Sequence, residues 1–378
     1  MIPIRVLIID DSVVVRRVLT DLLQSDPEIE VAGTAATASI GLQKISQIVP
    51  DLVLLDIEMP EMDGVEAVKR IRSGWPKLPV IMCSTLTERG ASVTLRALAN
   101  GATDYVAKPS TLGGRFDGLN LFRAELLGKV KALGAAAMGT APSLALVRER
   151  ASLPAPSLPA PRSIAAPRTA RNQVSVLAIG CSTGGPNALS TLFASLPADL
   201  EVPILIVQHM PPLFTKMLAE RLTATTKICV VEAQAGDLVE PGKGYLAPGD
   251  FHMTLVRDGA RLRIALNQES PESSCRPAVD VMFRSVAQIF GAGTLAAVLT
   301  GMGQDGARGA ERIVQAGGTV IVQDAASCVV ASMPRAVVEL GVSAGAYPID
   351  TIGAELVSRV RRSGMAPGTT FIARRMEG

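Results

Sequence analysis

The 378-residue chain has few of the residues on which several classes of protein depend. It contains two histidines and five cysteines, and no two cysteines have C-x-x-C spacing. An odd number of scattered thiols argues against a disulfide framework and against a zinc site, and it favours a reducing compartment. No apolar run approaches the roughly 20 residues that a transmembrane helix needs. We therefore expect a cytoplasmic protein with no segment inserted in a membrane.

The chain also lacks an excess of one charge at either end. Residues 1–133 carry 15 basic and 16 acidic side chains, and residues 174–378 carry 17 and 18. The segment between them has five arginines, one glutamate and six prolines. Such a Pro- and Ala-rich composition is typical of a linker, and near-neutral flanking parts do not attract nucleic acid. We predict a domain over 1–133, a linker over 134–173 and a second domain over 174–365.

Both predicted domains alternate short apolar runs with helical patterns, as in VLII (6–9) and LVLL (52–55). Continuous β-branched strands separated by helices indicate a parallel sheet that is covered on both faces. We predict an α/β fold throughout, with a doubly wound (βα)5 domain first and a mostly parallel, doubly wound domain second. In the second domain, two alternating runs flank Asp258-Gly259, which predicts an antiparallel hairpin.

Polar side chains follow the strands of the first domain at the point where each strand ends. Asp10 and Asp11 follow the first strand, Asp56 ends the third, Thr85 the fourth and Lys108 the fifth. The carboxyl ends of parallel strands meet at one edge, where converging carboxylates need Mg²⁺ or a lysine to offset their repulsion. This set suits phosphoryl transfer to Asp56, with Lys108 neutralising the phosphoryl oxygens and Thr85 binding the product.

Three further strand ends, in the second domain, carry Ser182, His209 and Asp305. Ser182 lies in the G-x-S-x-G frame of GCSTGGP. A serine hydroxyl needs a base to become a nucleophile, and the base needs a third group to hold its tautomer, so we predict these roles in that order. The order Ser, His, Asp differs from the Ser, Asp, His order of α/β-hydrolases. The alternatives are a bare turn, a structural histidine and an aspartate that caps a helix.

Other residues near the serine have alternative interpretations. Cys181 competes as a nucleophile, but a cysteine after an apolar strand is usually a small hydrophobic residue. His252 is expected at the surface or in a substrate loop. Gly184, Gly185 and Pro186 open a helix whose free N–H groups could bind an oxyanion, opposite the backbone of residues 301–303. A phosphate-binding loop is disfavoured because the Walker lysine is missing.

The segments IIDDS, LLDIEMPEMDG, CST and AKP resemble the receiver domain of response regulators. The resemblance implies that a histidine kinase supplies the phosphoryl group to Asp56 and that Lys108 contacts it. Thr85 and Tyr105 would then report phosphorylation to the rest of the chain. The Mg²⁺ site that the resemblance implies comprises Asp10, Asp11, Asp56 and the backbone carbonyl of Glu58.

The segments GCSTGGP, IVQHMP, SCRPAVDVMF, LTGMGQDGA and MPRAV resemble the chemotaxis protein-glutamate methylesterases. The resemblance implies hydrolysis of glutamyl methyl esters on chemoreceptors to glutamate and methanol, with deamidation of receptor glutamines as a second activity and no cofactor for the esterase. It assigns the triad to Ser182, His209 and Asp305, with Thr183 and Met302 near the oxyanion. We expect phosphorylation to relieve inhibition by the receiver domain. A DNA-binding response regulator and a non-catalytic scaffold are the alternatives.

Overall fold

A computed structural model describes residues 2–108, 116–138 and 173–364 of the chain. These residues form two α/β parts, one on each side of the predicted linker. Most of that linker lies outside the described residues, so its extended character stays a prediction. The last helix of the first part continues to Ala137, four residues beyond the domain boundary that we expected at 133.

The first part is a five-stranded parallel sheet in the order β2-β1-β3-β4-β5 with helices between the strands. The strands are β1 (Ile4–Ile9), β2 (Ile29–Ala35), β3 (Leu52–Asp56), β4 (Val80–Thr85) and β5 (Asp104–Lys108). The helices are α1 (Val13–Gln24), α2 (Ala38–Ile48), α3 (Gly64–Gly74), α4 (Glu88–Ala99) and α5 (Phe116–Ala137). The sheet confirms the predicted (βα)5 architecture.

Local sequence explains where the helices of the first part begin. Ser12, Thr37, Asp63 and Thr87 each precede a helix, and each side-chain oxygen accepts a hydrogen bond from a backbone N–H in the first turn. These side chains satisfy donors that a helix start leaves unpaired. All five residues of β3 are buried, as expected for a central strand with helices on both faces.

The second part contains a seven-stranded parallel sheet in the order β14-β13-β12-β6-β7-β9-β8. Its strands are β6 (Val176–Cys181), β7 (Ile204–Gln208), β8 (Cys229–Glu232), β9 (Lys243–Leu246), β12 (Thr294–Val298), β13 (Thr319–Gln323) and β14 (Ala346–Tyr347). Its helices are α6 (Gly185–Ser195), α7 (Phe214–Thr225), α8 (Val279–Phe290), α9 (Ala307–Gln315), α10 (Ser332–Glu339) and α11 (Ile349–Gly364).

The predicted hairpin is confirmed as a separate antiparallel pair, β10 (His252–Asp258) and β11 (Arg261–Asn267). Gly259 in the turn has a φ of 60°, which a glycine adopts without strain. The neighbouring strands β12, β6 and β7 end side by side, and they lead into the segments that carry Asp305, Ser182 and His209 respectively.

No helix among the described residues is long and apolar enough to cross a membrane.

Candidate functional site

The carboxyl edge of the first sheet brings Asp10, Asp56 and Lys108 together. The Lys108 Nζ lies 2.7 Å from Asp10 Oδ2 and 2.7 Å from Asp56 Oδ1, and all three side chains are largely buried. Burial raises the pKa of Asp56 to about 6, although the charge of Lys108 opposes the shift. The lysine therefore neutralises two carboxylates that would otherwise repel each other.

Asp11 completes a set of carboxylates at this edge. Within the described part of the chain, Asp10, Asp11 and Asp56 offer oxygen atoms that all lie within 4.8 Å of one another. A cleft of about 340 Å³ opens beside them and is lined in part by Asp11 and Glu58, whose carboxylate pairs with Arg89 at 3.3 Å. Clustered hard oxygen donors beside an open cleft fit Mg²⁺, which keeps several waters when it binds.

The two residues expected to report phosphorylation have different surroundings. Thr85 is exposed at the end of β4, and its hydroxyl lies 3.3 Å from that of Thr87. Tyr105 is buried, and its ring stacks on Phe214 of the second part with 4.8 Å between centroids and 8° between planes. The Lys129 Nζ lies 4.9 Å from the centroid of the Tyr105 ring and donates to the Tyr105 carbonyl at 2.6 Å. Tyr105 therefore contacts both parts of the chain.

Ser182 follows β6 at the carboxyl edge of the second sheet. Its N–H donates to the carbonyl of Thr300 at 3.0 Å, and its carbonyl accepts from the N–H of Gly185 at 2.7 Å. Gly184 then turns the chain into α6 with a φ of 77°, and no side chain caps that helix. A Cβ on Gly184 would lie 2.6 Å from Val329, so both conformation and space require glycine here.

His209 and Asp305 form the predicted pair. His209 Nε2 lies 2.7 Å from Asp305 Oδ2, and both side chains are largely buried. Asp305 also accepts hydrogen bonds from the N–H groups of Val279, Asp280 and Gly306 at 2.6, 2.9 and 2.9 Å. It therefore lies at the start of α8, where a helix favours negative charge. Burial opposes that charge, but His209 and the N–H donors keep the pKa of Asp305 below its usual value.

The other ring nitrogen of His209 contacts a residue that sequence reasoning missed. Cys275 Sγ lies 3.4 Å from Nδ1. Burial disfavours the imidazolium, but the hydrogen bonds and charges of Asp305 and Cys275 outweigh it and raise the pKa of His209 to about 10. Among the described residues, the Ser182 hydroxyl makes no hydrogen bond to His209. The structure thus joins His209 to Asp305 and places Ser182 at the end of the neighbouring strand.

The remaining candidates near the serine are placed as follows. Thr183 is buried, and its hydroxyl has no hydrogen-bond partner among the described residues. Cys181 is buried, and burial raises the pKa of its thiol well above the usual value, which disfavours a nucleophilic thiolate. His252 was expected at the surface or in a substrate loop, but it is buried. Its Nδ1 accepts from the Ala278 N–H at 3.2 Å, and its Nε2 lies 3.2 Å from the Ser270 carbonyl oxygen, so both ring nitrogens have partners in the interior.

Helix α5 of the first part packs on the loops that border Ser182. The apolar cluster around Phe122 and Leu126 of α5 includes Val330 and is flanked by Val329 and Met302. A Cβ on Gly128 of α5 would lie 3.0 Å from Met302 Cε, so the helix approaches this side chain closely. Met302, expected near the oxyanion, therefore contacts the first part of the chain as well.

A second contact lies along α4 and α7, which pack against each other. The Arg221 guanidinium donates to the Leu95 carbonyl at 2.7 Å, and Asn187 of α6 donates to the Ala102 carbonyl at 3.3 Å. Together with the ring stack of Tyr105 and Phe214, these contacts hold the first part over the edge that carries Ser182. Sequence reasoning did not identify any of these bridging residues except Tyr105.

Comparisons with known proteins agree with both resemblances. Residues 177–356 match the CheB methylesterase family, and residues 6–114 match the response regulator receiver domain. The protein-glutamate methylesterase/protein-glutamine glutaminase of Trichodesmium erythraeum (strain IMS101) is 44% identical over 360 residues, which cover 94% of this chain and 99% of that protein. The protein of the same name from Nocardioides sp. (strain ATCC BAA-499 / JS614) is 48% identical over 359 residues, which cover 95% of this chain and 96% of that protein. Among solved structures, the Thermotoga maritima CheB methylesterase catalytic domain aligns at 42% identity and a TM-score of 0.48, covering 49% of this chain and 97% of that one.

Proposed function

Since the chain belongs to the CheB methylesterase family, we propose that it is a serine esterase that hydrolyses glutamyl methyl esters on chemoreceptors. The products are glutamate and methanol, and receptor glutamines are deamidated at the same site because both substrates present a γ-carbonyl. Near-neutral charge on both parts of the chain gives no support to a DNA-binding regulator. The observation that carries the proposal is the 2.7 Å contact of His209 with Asp305 beside the strand end that bears Ser182.

In the proposed reaction, Ser182 attacks the γ-carbonyl and His209 takes its proton. Asp305 binds Nε2, so Nδ1 is the nitrogen that receives the proton, and the Ser182 hydroxyl must replace the Cys275 thiol beside it. The proton passes to the leaving methanol or ammonia, an acyl-enzyme remains, and water then attacks it by the reverse path. The backbone N–H groups between Thr183 and the uncapped start of α6, together with the backbone at Met302, stabilise the oxyanion.

Phosphorylation of Asp56 controls access to this site. The phosphoryl group comes from the histidine kinase of the chemotaxis system, and Lys108 contacts its oxygens. Asp10, Asp11 and Asp56, with the Glu58 carbonyl, would hold Mg²⁺, which would supply positive charge to offset the negative charge of the phosphoryl group. The esterase needs no cofactor, because a serine, a base and an acid account for acyl transfer.

The contacts between the two parts support inhibition by the unphosphorylated receiver domain. Helix α5 covers Met302, and the ring of Tyr105 is stacked on Phe214. Thr85 binds the phosphoryl group, Tyr105 responds to the new position of Thr85, and the stack on Phe214 is lost. The loops around Ser182 then open to the receptor helices.

The test is methanol release from methylated receptors by the full-length chain, with and without acetyl phosphate as phosphoryl donor. We expect Ser182→Ala to lose more than about 1,000-fold in kcat. Ser190→Ala, on the adjacent helix with its hydroxyl bonded to the Pro186 carbonyl, is the matched control and keeps the wild-type rate. Asp56→Asn keeps the basal rate and loses the response to acetyl phosphate. Hydrolysis by Ser182→Ala at the wild-type rate would refute the proposal.

A further inference from the structure

Gln208 is a buried polar side chain to which the proposed chemistry assigns no role. It is the last residue of β7, directly before His209, and it is 2% exposed. Its register partner on β6 is Cys181, the residue before Ser182. Gln208 therefore lies between the strand that carries the nucleophile and the strand that carries the base.

The amide of Gln208 bonds to the backbone of both residues. Its Nε2 lies 3.0 Å from the Ser182 carbonyl oxygen and 3.0 Å from the His209 carbonyl oxygen. The nitrogen must face these two acceptors, because the opposite orientation would place Oε1 against two carbonyl oxygens. One planar group thus uses both of its N–H donors to tie the two strand ends together.

The oxygen side of the Gln208 amide is fixed by packing and not by a hydrogen bond. Oε1 has no hydrogen-bond partner among the described residues, and it lies against Gly185, where a Cβ would be 1.9 Å from it. Gly185 in turn donates its N–H to the same Ser182 carbonyl at 2.7 Å. A buried acceptor without a partner is unfavourable, and proteins keep such groups where they have another task. Gly185 leaves space for the amide, and the amide fixes the turn that holds Ser182.

We propose that Gln208 is a positioning residue that sets the distance between Ser182 and His209 by donating one amide N–H to the carbonyl of each. The inference rests on the proposed function, in which Ser182 is the nucleophile and His209 the base. Loss of either hydrogen bond lets the two strand ends shift, and a misplacement of about 1 Å costs on the order of 100-fold in rate. Gln208 touches no substrate atom in this scheme, so the loss falls on kcat and leaves KM within about two-fold.

Two variants of the full-length chain test this role by methanol release. Gln208→Met has similar length and no donor, and we expect it to lower kcat by about 10- to 100-fold at every pH. In Gln208→Glu, the ionised carboxylate has no donor and repels both carbonyl oxygens. The protonated carboxylic acid has one O–H group and can donate to one of them. Because burial raises the pKa of an introduced carboxyl, the ratio of its kcat to that of wild type rises as pH falls from about 8 to about 6.

The controls separate positioning from folding and from the proposed function. Gln315→Glu adds the same charge at an exposed site on α9, and its kcat ratio stays independent of pH. Thermal unfolding and phosphorylation of Asp56 by acetyl phosphate show that each variant is folded. If Gln208→Met keeps the wild-type kcat while Ser182→Ala is inactive, the role of Gln208 is refuted and the esterase proposal stands. If Ser182→Ala is active, the esterase proposal fails first.

Discussion

The ring stack between Tyr105 and Phe214 is the contact whose removal tests the proposed inhibition most directly. The two rings are nearly parallel with 4.8 Å between centroids, and both side chains are buried. A stacked aromatic pair contributes about 0.5–1.5 kcal/mol beyond the area that it buries. If this energy holds the receiver domain over Ser182, its loss raises the fraction of molecules in which Ser182 is uncovered roughly 2- to 12-fold.

Tyr105→Leu removes the stack and keeps an apolar side chain. We expect the rate of methanol release by the unphosphorylated full-length chain to rise by about that factor of 2 to 12, while the fully phosphorylated rate stays unchanged. Phe214→Leu and the double variant complete a double-mutant cycle. The cycle separates the interaction energy between the two rings from the packing of each ring against its other neighbours. The coupling should be visible only without acetyl phosphate, since the stack is absent in the open form.

Tyr347→Leu is the matched control, because this half-buried tyrosine lies on β14 of the second part, with its ring centroid 6.0 Å from the Arg359 guanidinium. Its basal and stimulated rates should equal those of wild type. The proposed inhibition through the ring stack is refuted if Tyr105→Leu is folded, accepts a phosphoryl group at Asp56 and still shows the wild-type basal rate. Increased activity of Tyr105→Leu in both phosphorylation states would instead locate the effect in the catalytic part.

Three further predictions concern the charged groups. Asp305→Asn should lower kcat by about 1,000- to 10,000-fold, since an amide cannot hold the His209 tautomer; methanol release measures it, and a loss below ten-fold would contradict the role. Cys275→Ala removes one of the groups that raise the pKa of His209 to about 10; since the base must be unprotonated to act, the acid limb of the kcat/KM profile should move to lower pH, and an unmoved limb would contradict this effect. Lys129→Met leaves Asp104 buried without its ion pair, at a cost of about 3 kcal/mol in urea unfolding, and Lys129→Met with Asp104→Asn should recover part of it.

The sequence predicted those parts of the fold that depend on short stretches of chain. The strands of both sheets were recognisable because buried parallel strands are continuous apolar runs, and the hairpin because Asp258-Gly259 specifies its own turn. The convergence of Asp10, Asp56 and Lys108 followed from the same pattern, since parallel strands end at one edge.

The residues that sequence reasoning missed depend on packing between distant segments. Cys275 reaches His209 from 66 residues away, through a loop with no helical or strand period. Arg221 bonds to Leu95 across the two parts of the chain. Gln208 completes an apolar run that already predicts a buried strand, so nothing local distinguishes it from an ordinary strand residue. Hydrophobic periodicity reports which face is buried, and it does not report which buried polar atoms meet.

The position of His209 between Asp305 and Cys275 links the catalytic chemistry to the proposed control. With both neighbours in place, its pKa of about 10 keeps the ring protonated at neutral pH, and a protonated imidazole cannot accept the serine proton. If the loops open as proposed, water and substrate reach Nδ1 and the Ser182 hydroxyl takes the place of the thiol, and the loss of the Cys275 contact lowers the pKa of the ring. The proposed activation therefore has two components: access to Ser182 and deprotonation of His209. Cys275→Ala separates them, because it should raise the rate at neutral pH without loosening the stack of Tyr105 on Phe214.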